Sequence, residues 1–149
     1  MSAQRAVHAS AVAVGGRGVL VTGDAGSGKS ALCLQLMALG GVLIADDRVV
    51  LRRESAQVIA DAPEATAGLI EARGVGILRC SHAPAPLALV VRLTTRPDDR
   101  LPPLRNTMLL DVQLPLVLGP LTAHLPFAIR LLLDGGRLDP DASLPPGPP

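Results

Sequence analysis

Gly23-Asp24-Ala25-Gly26-Ser27-Gly28-Lys29-Ser30 fits the pattern GxxxxGK[ST], and its reading decides the fold. Each residue type in it answers a need of a polyphosphate. Glycines let successive backbone N–H groups turn inward and approach phosphate oxygens closely. A helix beginning near Lys29 adds the positive end of its dipole. In this pattern the lysine reaches the β- and γ-phosphates and the Ser30 hydroxyl is a Mg²⁺ ligand. The pattern is meaningful only between a buried strand and a helix, and both are legible here. Arg17–Thr22 reads as a buried strand, and Ser30–Leu39 places Leu32, Leu36 and Leu39 at helical spacing before Gly40-Gly41 stops the run.

The basic residues sharpen this reading. Of 14 lysines and arginines, Lys29 is the sole lysine. A lone lysine lands on one given position by chance roughly once in 150, and this site wants a compact point charge that arginine supplies poorly. Val42–Ala45 then reads as a short apolar strand ending at Asp46-Asp47. Carboxylates at that strand end are placed to hold a magnesium-bound water or to act as a base beside the phosphates. The plain alternative is a solvated turn before Arg48.

Working outward, residues 6–14 read as one strand leading into a hairpin at Gly15-Gly16. Further strands are expected at 49–51, 57–60 and 86–93, with 69–73 and 77–80 flanking Gly74 and Gly76. A loop is expected over 61–68, and a polar one over 94–106. Residues 108–118 read as a single strand, bent or at an edge because of Pro115. Thr122 is a candidate cap for a helix over 123–134. The domain is expected to span 1–139, followed by a disordered proline-rich tail over 140–149.

Composition excludes several function classes. With 48% hydrophobic and 18% charged residues the chain folds around a core. A net charge of +1 and a single aromatic, Phe127, argue against nucleic acid as a partner. The greasy region 107–133 is broken by Asp111, Gln113, His124 and Arg130, so no membrane span is expected. Cys33 and Cys80 lack CxxC spacing and the histidines at 8, 82 and 124 are scattered, so no zinc cluster is expected. A cytoplasmic protein fits these features. A GTPase would carry Asn-Lys-x-Asp, but the only asparagine is Asn106 and the only lysine Lys29. A kinase remains, with a carboxylate placed to take the proton of an acceptor hydroxyl.

Four motifs in order resemble the catalytic C-terminal domain of the HPr kinase/phosphorylase family. His8, 15 residues before Gly23, stands where that family has a catalytic histidine. Gly23–Ser30 resembles its Gly-Asp-Ser-Gly-x-Gly-Lys-Ser loop, and Ile44-Ala45-Asp46-Asp47 resembles its Val-Ala-Asp-Asp. Ile70-Glu71-Ala72-Arg73-Gly74-Val75-Gly76-Ile77 is similar to its Ile-Glu-x-Arg-Gly-Leu-Gly-Ile signature. The resemblance runs to about Arg100 and is closest to short, alphaproteobacterial-type forms without the family's N-terminal domain.

It implies an α/β, phosphate-loop fold of the PEP carboxykinase-like kind, a mixed β-sheet with few helices. It also implies an ATP- and Mg²⁺-dependent kinase that phosphorylates a serine of the phosphocarrier HPr, regulates the phosphotransferase system and forms a homo-oligomer, a hexamer in the family. Asp47 would be the base, with Asp46 adjacent and an exchange of their roles open. Lys29 would stabilise the phosphoryl group, Ser30 and Glu71 would hold Mg²⁺, and His8 and Arg100 would complete the catalytic set. On the residues alone, His8 also reads as a core histidine, Glu71 and Arg73 as a same-face strand pair, and Arg100 as a solvated arginine. The family's arginine-bearing segment tied to dephosphorylation corresponds to Pro115–Leu121, which has no arginine. Reverse phosphorolysis is therefore an open expectation. The alternatives are an ATP-binding regulatory module without transfer and a small-molecule kinase.

Overall fold

The computed structural model describes residues 4–96 and 99–141. Its elements are β1 (Gln4–Val7), β2 (Ser10–Val14), β3 (Arg17–Gly23), α1 (Lys29–Ala38), β4 (Val42–Ala45), β5 (Val49–Glu54), β6 (Gln57–Asp61), β7 (Leu69–Ala72), β8 (Gly76–Arg79), β9 (Ala85–Leu93), β10 (Arg105–Leu109), β11 (Val112–Gly119) and α2 (Leu125–Gly135). A 3-10 turn at Glu64–Thr66 lies in the loop expected over 61–68. Nine strands join in the order β1-β5-β6-β9-β3-β2-β4, with β11 branching from β9 and carrying β10, while β7 and β8 pair with each other.

The run expected as one strand over 6–14 is two. β1 pairs antiparallel with β5, whereas β2 lies between β3 and β4. The chain changes partners at His8-Ala9, a local event that alternation of small residues does not signal. The run 108–118 is likewise two strands: β10 and β11 form a hairpin turning at Leu110-Asp111. Both turn residues have positive φ, 47° and 64°, as a two-residue hairpin turn requires. Neither Leu nor Asp advertises that conformation as the Gly15-Gly16 turn does. Helix α2 begins at Leu125, and Thr122 bonds through its hydroxyl to His124 Nδ1 at 3.3 Å without capping the helix. The expected tail overlaps residues 142–149, which lie outside the described residues.

β9 is the hub of the sheet. Its first residues pair antiparallel with β6, and its remainder pairs parallel with β3 on one side and β11 on the other. Alternating side chains of the inner strands feed two cores. Val12, Val19, Val21, Leu43, Leu89 and Val91 meet Leu32 and Leu36 of α1 and Ile129 of α2. On the opposite face Leu20, Ile44 and Val90 meet Val49, Leu51 and Val58 from β5 and β6. Each fully buried leucine contributes about 1.5–3 kcal/mol through apolar burial. The C-terminal ends of β3 and β4, the start of β2, and the ends of β9 and β11 therefore share one edge of the sheet.

Candidate active site

The phosphate loop sits at the centre of that edge. Ser27 N–H donates to Asp24 O at 3.0 Å, and Gly26 and Gly28 have φ of 80° and 104°, which the bend of the loop requires. Gly28 is also crowded: a Cβ there would meet Leu121 Cδ2 at 2.9 Å. Helix α1 starts at Lys29 without a side-chain cap, so its first-turn amides, which lack intrahelical acceptors in any helix, receive none from a capping side chain. The Lys29 ammonium donates to Gly23 O at 2.9 Å and Asp24 O at 3.1 Å, folded over the loop. Ser27 Oγ and Thr22 Oγ1 are buried beside it without a partner.

One strand pair away, β4 delivers the two aspartates to different environments. Asp46 is 8% exposed. Its Oδ1 accepts from the hydroxyls of Ser10 and Ser30, each at 2.7 Å, and its Oδ2 accepts from Glu71 N–H at 3.1 Å. This carboxylate ties β2, α1 and β7 to β4. Its charge also reaches two thiols. Burial is the main cause that pushes Cys33 and Cys80 up from the ordinary thiol range, and the Asp46 charge adds to it.

Asp47 points the other way. Arg48 N–H donates to Asp46 O at 2.7 Å around Asp47 at φ 66°, a γ-turn of positive φ. Such a conformation costs about 1–3 kcal/mol and holds only where the surroundings fix it. The result is an exposed carboxylate whose Oδ1 lies 3.2 Å from His8 Nε2. His8 occupies the break between β1 and β2 and is exposed, so it is not a core histidine.

The structure thus joins Lys29, Ser30, Asp46 and the Glu71 backbone on one side, and His8 with Asp47 on the other. The Glu71 side chain is exposed on β7, next to this group. Arg100 is exposed in the segment after β9, and among the described residues no hydrogen bond or ion pair ties it to the loop or to Asp46 and Asp47. Ser10 is the participant that sequence reasoning overlooked. Its signal was a single hydroxyl within the Ala/Val run 6–14.

The residues present fit a magnesium ion. By donating its proton to Asp46, the Ser30 hydroxyl keeps its oxygen lone pairs for a cation. Among the described residues no group of three or more His, Cys, Asp and Glu forms a metal cluster. A hard cation here would take its other ligands from phosphate oxygens and water, as Mg²⁺ does.

A phosphate loop at the C-terminal end of a buried strand, with a carboxylate from the strand next but one bonded to its serine, defines a phosphate-loop α/β fold. The profile of the HPr Serine kinase C-terminal domain matches residues 1–83. The chain belongs to that family. It is 36% identical over 109 residues to an HPr kinase/phosphorylase of Latilactobacillus sakei, covering 67% of this chain and 35% of that one. It is 46% identical over 72 residues to that of Caldicellulosiruptor bescii, covering 48% of this chain and 23% of the relative. The chain therefore spans about a third or less of the length of these curated relatives. The HPr(Ser) kinase/phosphatase structure from Coxiella burnetii superposes with a TM-score of 0.77 at 30% identity, covering 87% of this chain and 94% of that one. Among the described residues, no helix is long and apolar enough to cross a membrane.

Proposed function

We propose that this chain is an ATP-dependent protein-serine kinase whose acceptor is HPr. The observation that carries the reading is the division of labour between adjacent aspartates. Asp46 is buried and occupied by three donors, whereas Asp47 is exposed and, among the described residues, pairs with His8 alone. A buried carboxylate bonded to the loop serine suits metal positioning, and an exposed one suits contact with a hydroxyl carried by another protein. On this reading Asp47 is the base and Asp46 its metal-side neighbour.

In the forward reaction Asp47 accepts the proton of the acceptor serine as its oxygen attacks the γ-phosphorus. The bond from that phosphorus to the β,γ-bridging oxygen breaks, and ADP departs. His8 orients the Asp47 carboxylate. Lys29 leaves the Gly23 and Asp24 carbonyls for the phosphate oxygens, exchanging neutral acceptors for charged ones. Ser30 and Asp46, with Glu71 at the rim, would hold Mg²⁺, which when bound offsets charge on the transferring group. Reversal by inorganic phosphate would ask Asp47 to return the proton. The segment Pro115–Leu121 carries no arginine and sets Leu121 against Gly28, so we assign the forward direction. Arg100 remains a proposed contributor, and assembly into a homo-oligomer is part of the same reading.

The test is transfer of label from γ-labelled ATP to purified HPr in Mg²⁺. Phosphoserine on HPr is the expected result. Saturable ATP binding with no transfer would overturn the proposal and leave a nucleotide-binding module.

A further inference from the structure

At the far end of the sheet from the phosphate loop lies a cavity of about 310 Å³ that the proposed chemistry does not use. It is bounded by Leu89 of β9, Leu116 of β11 and Leu133 of α2, and three arginines, Arg17, Arg105 and Arg137, also line it. No acidic residue is among its described lining residues. Arg17 opens β3, whereas the phosphate loop follows the end of that strand at Gly23. Six residues of extended chain separate them by about 20 Å. The two sites are distinct.

Two of the guanidiniums, those of Arg17 and Arg137, are held in place by contacts within the fold. Arg17 donates to Leu133 O and, at 2.7 Å, to Asp134 Oδ1, so it uses part of a fork of five donors. Arg137 donates to Pro102 O from the start of the segment before β10. Fixed cations at the rim of an apolar chamber favour a ligand with an apolar body and an anionic end. A chamber of about 310 Å³ lies at the lower end of small-molecule sites and has room for a short alkyl chain. A nucleotide, with polar groups along its length, does not match a lining dominated by leucine, proline and valine.

We infer that the cavity between β9, β11 and α2 is a binding site for a medium-chain monocarboxylate, its alkyl body among the leucines and its carboxylate at Arg17 and Arg137. The inference is independent of the kinase reading, because its readout involves neither ATP nor HPr.

Octanoate is the probe, followed by amide NMR titration of the full chain. The expected result is saturable shifts at Leu132, Leu133 and Arg137, with octylamine binding about 10-fold or more weakly because its charge is reversed. Arg137→Gln, an exposed position, should weaken octanoate several-fold, and Ala88→Leu should weaken it by filling the chamber. Should Ala88→Leu fail to fold, Arg137→Gln and the octylamine comparison still decide. Equal binding of octanoate and octylamine, or no saturable shift with octanoate, would overturn the inference.

Discussion

Ser30 and Asp46, 16 residues apart in sequence, share a 2.7 Å hydrogen bond that joins the start of α1 to the end of β4. The same Asp46 oxygen accepts from Ser10. One carboxylate atom thus fixes the phosphate loop's serine relative to the strand that carries Asp47. The geometry of the proposed base depends on a neighbour that does not itself react.

Removal of one of these donors should be felt in both stability and rate. Ser10→Ala takes a buried bond from a charged acceptor and should cost about 1.5–3 kcal/mol in urea unfolding. A fall in phosphoryl transfer with little change in HPr KM would accompany it. An unchanged unfolding midpoint would show that Ser10 contributes nothing to the position of Asp46.

The turn at Leu110-Asp111 is strained, since both residues have positive φ. Leu110→Asn with Asp111→Gly supplies the residue types such a turn favours. The melting temperature should rise by about 2–8 °C, equivalent to about 1–2 kcal/mol. Calorimetry checks this, and transfer activity should not move.

Cys33 makes stability depend on alkaline pH. Its thiol is fully buried, and burial, with help from the Asp46 charge, raises its folded-state pKa. The folded protein therefore keeps this proton where the unfolded chain releases it. The stabilisation is complete below the unfolded thiol pKa of about 8.5 and is lost at up to about 1.4 kcal/mol per pH unit as pH rises above it. Cys33→Ala should be less stable at neutral pH because of the cavity, yet its alkaline slope should be shallower. Parallel slopes between pH 8.5 and 10 would contradict the assignment of that proton to Cys33.

Much of this site was legible in the sequence because its residue types have few other uses. The glycines, the lone Lys29 and the paired aspartates after an apolar strand each point to phosphate chemistry, and all lie where the pattern requires. What was not legible depended on partners distant in sequence. The opposite directions of Asp46 and Asp47 come from a positive-φ turn at Asp47, and the role of Ser10 comes from a carboxylate 36 residues away. The split of residues 6–14 and the Leu110-Asp111 hairpin follow from strand pairing, which overrides the local preferences of those residues. Arg100 matched a motif in order, but among the described residues no bond brings it to the site.

The most direct measurement compares single-turnover transfer from labelled ATP to HPr by the wild-type chain and by Asp47→Asn, with ATP affinity measured on both. With Asp47 as the base and Asp46 as the metal-side carboxylate, the variant should bind ATP as well as the wild type and transfer about 10²–10⁴-fold more slowly. Equal transfer rates in the two proteins would contradict that assignment.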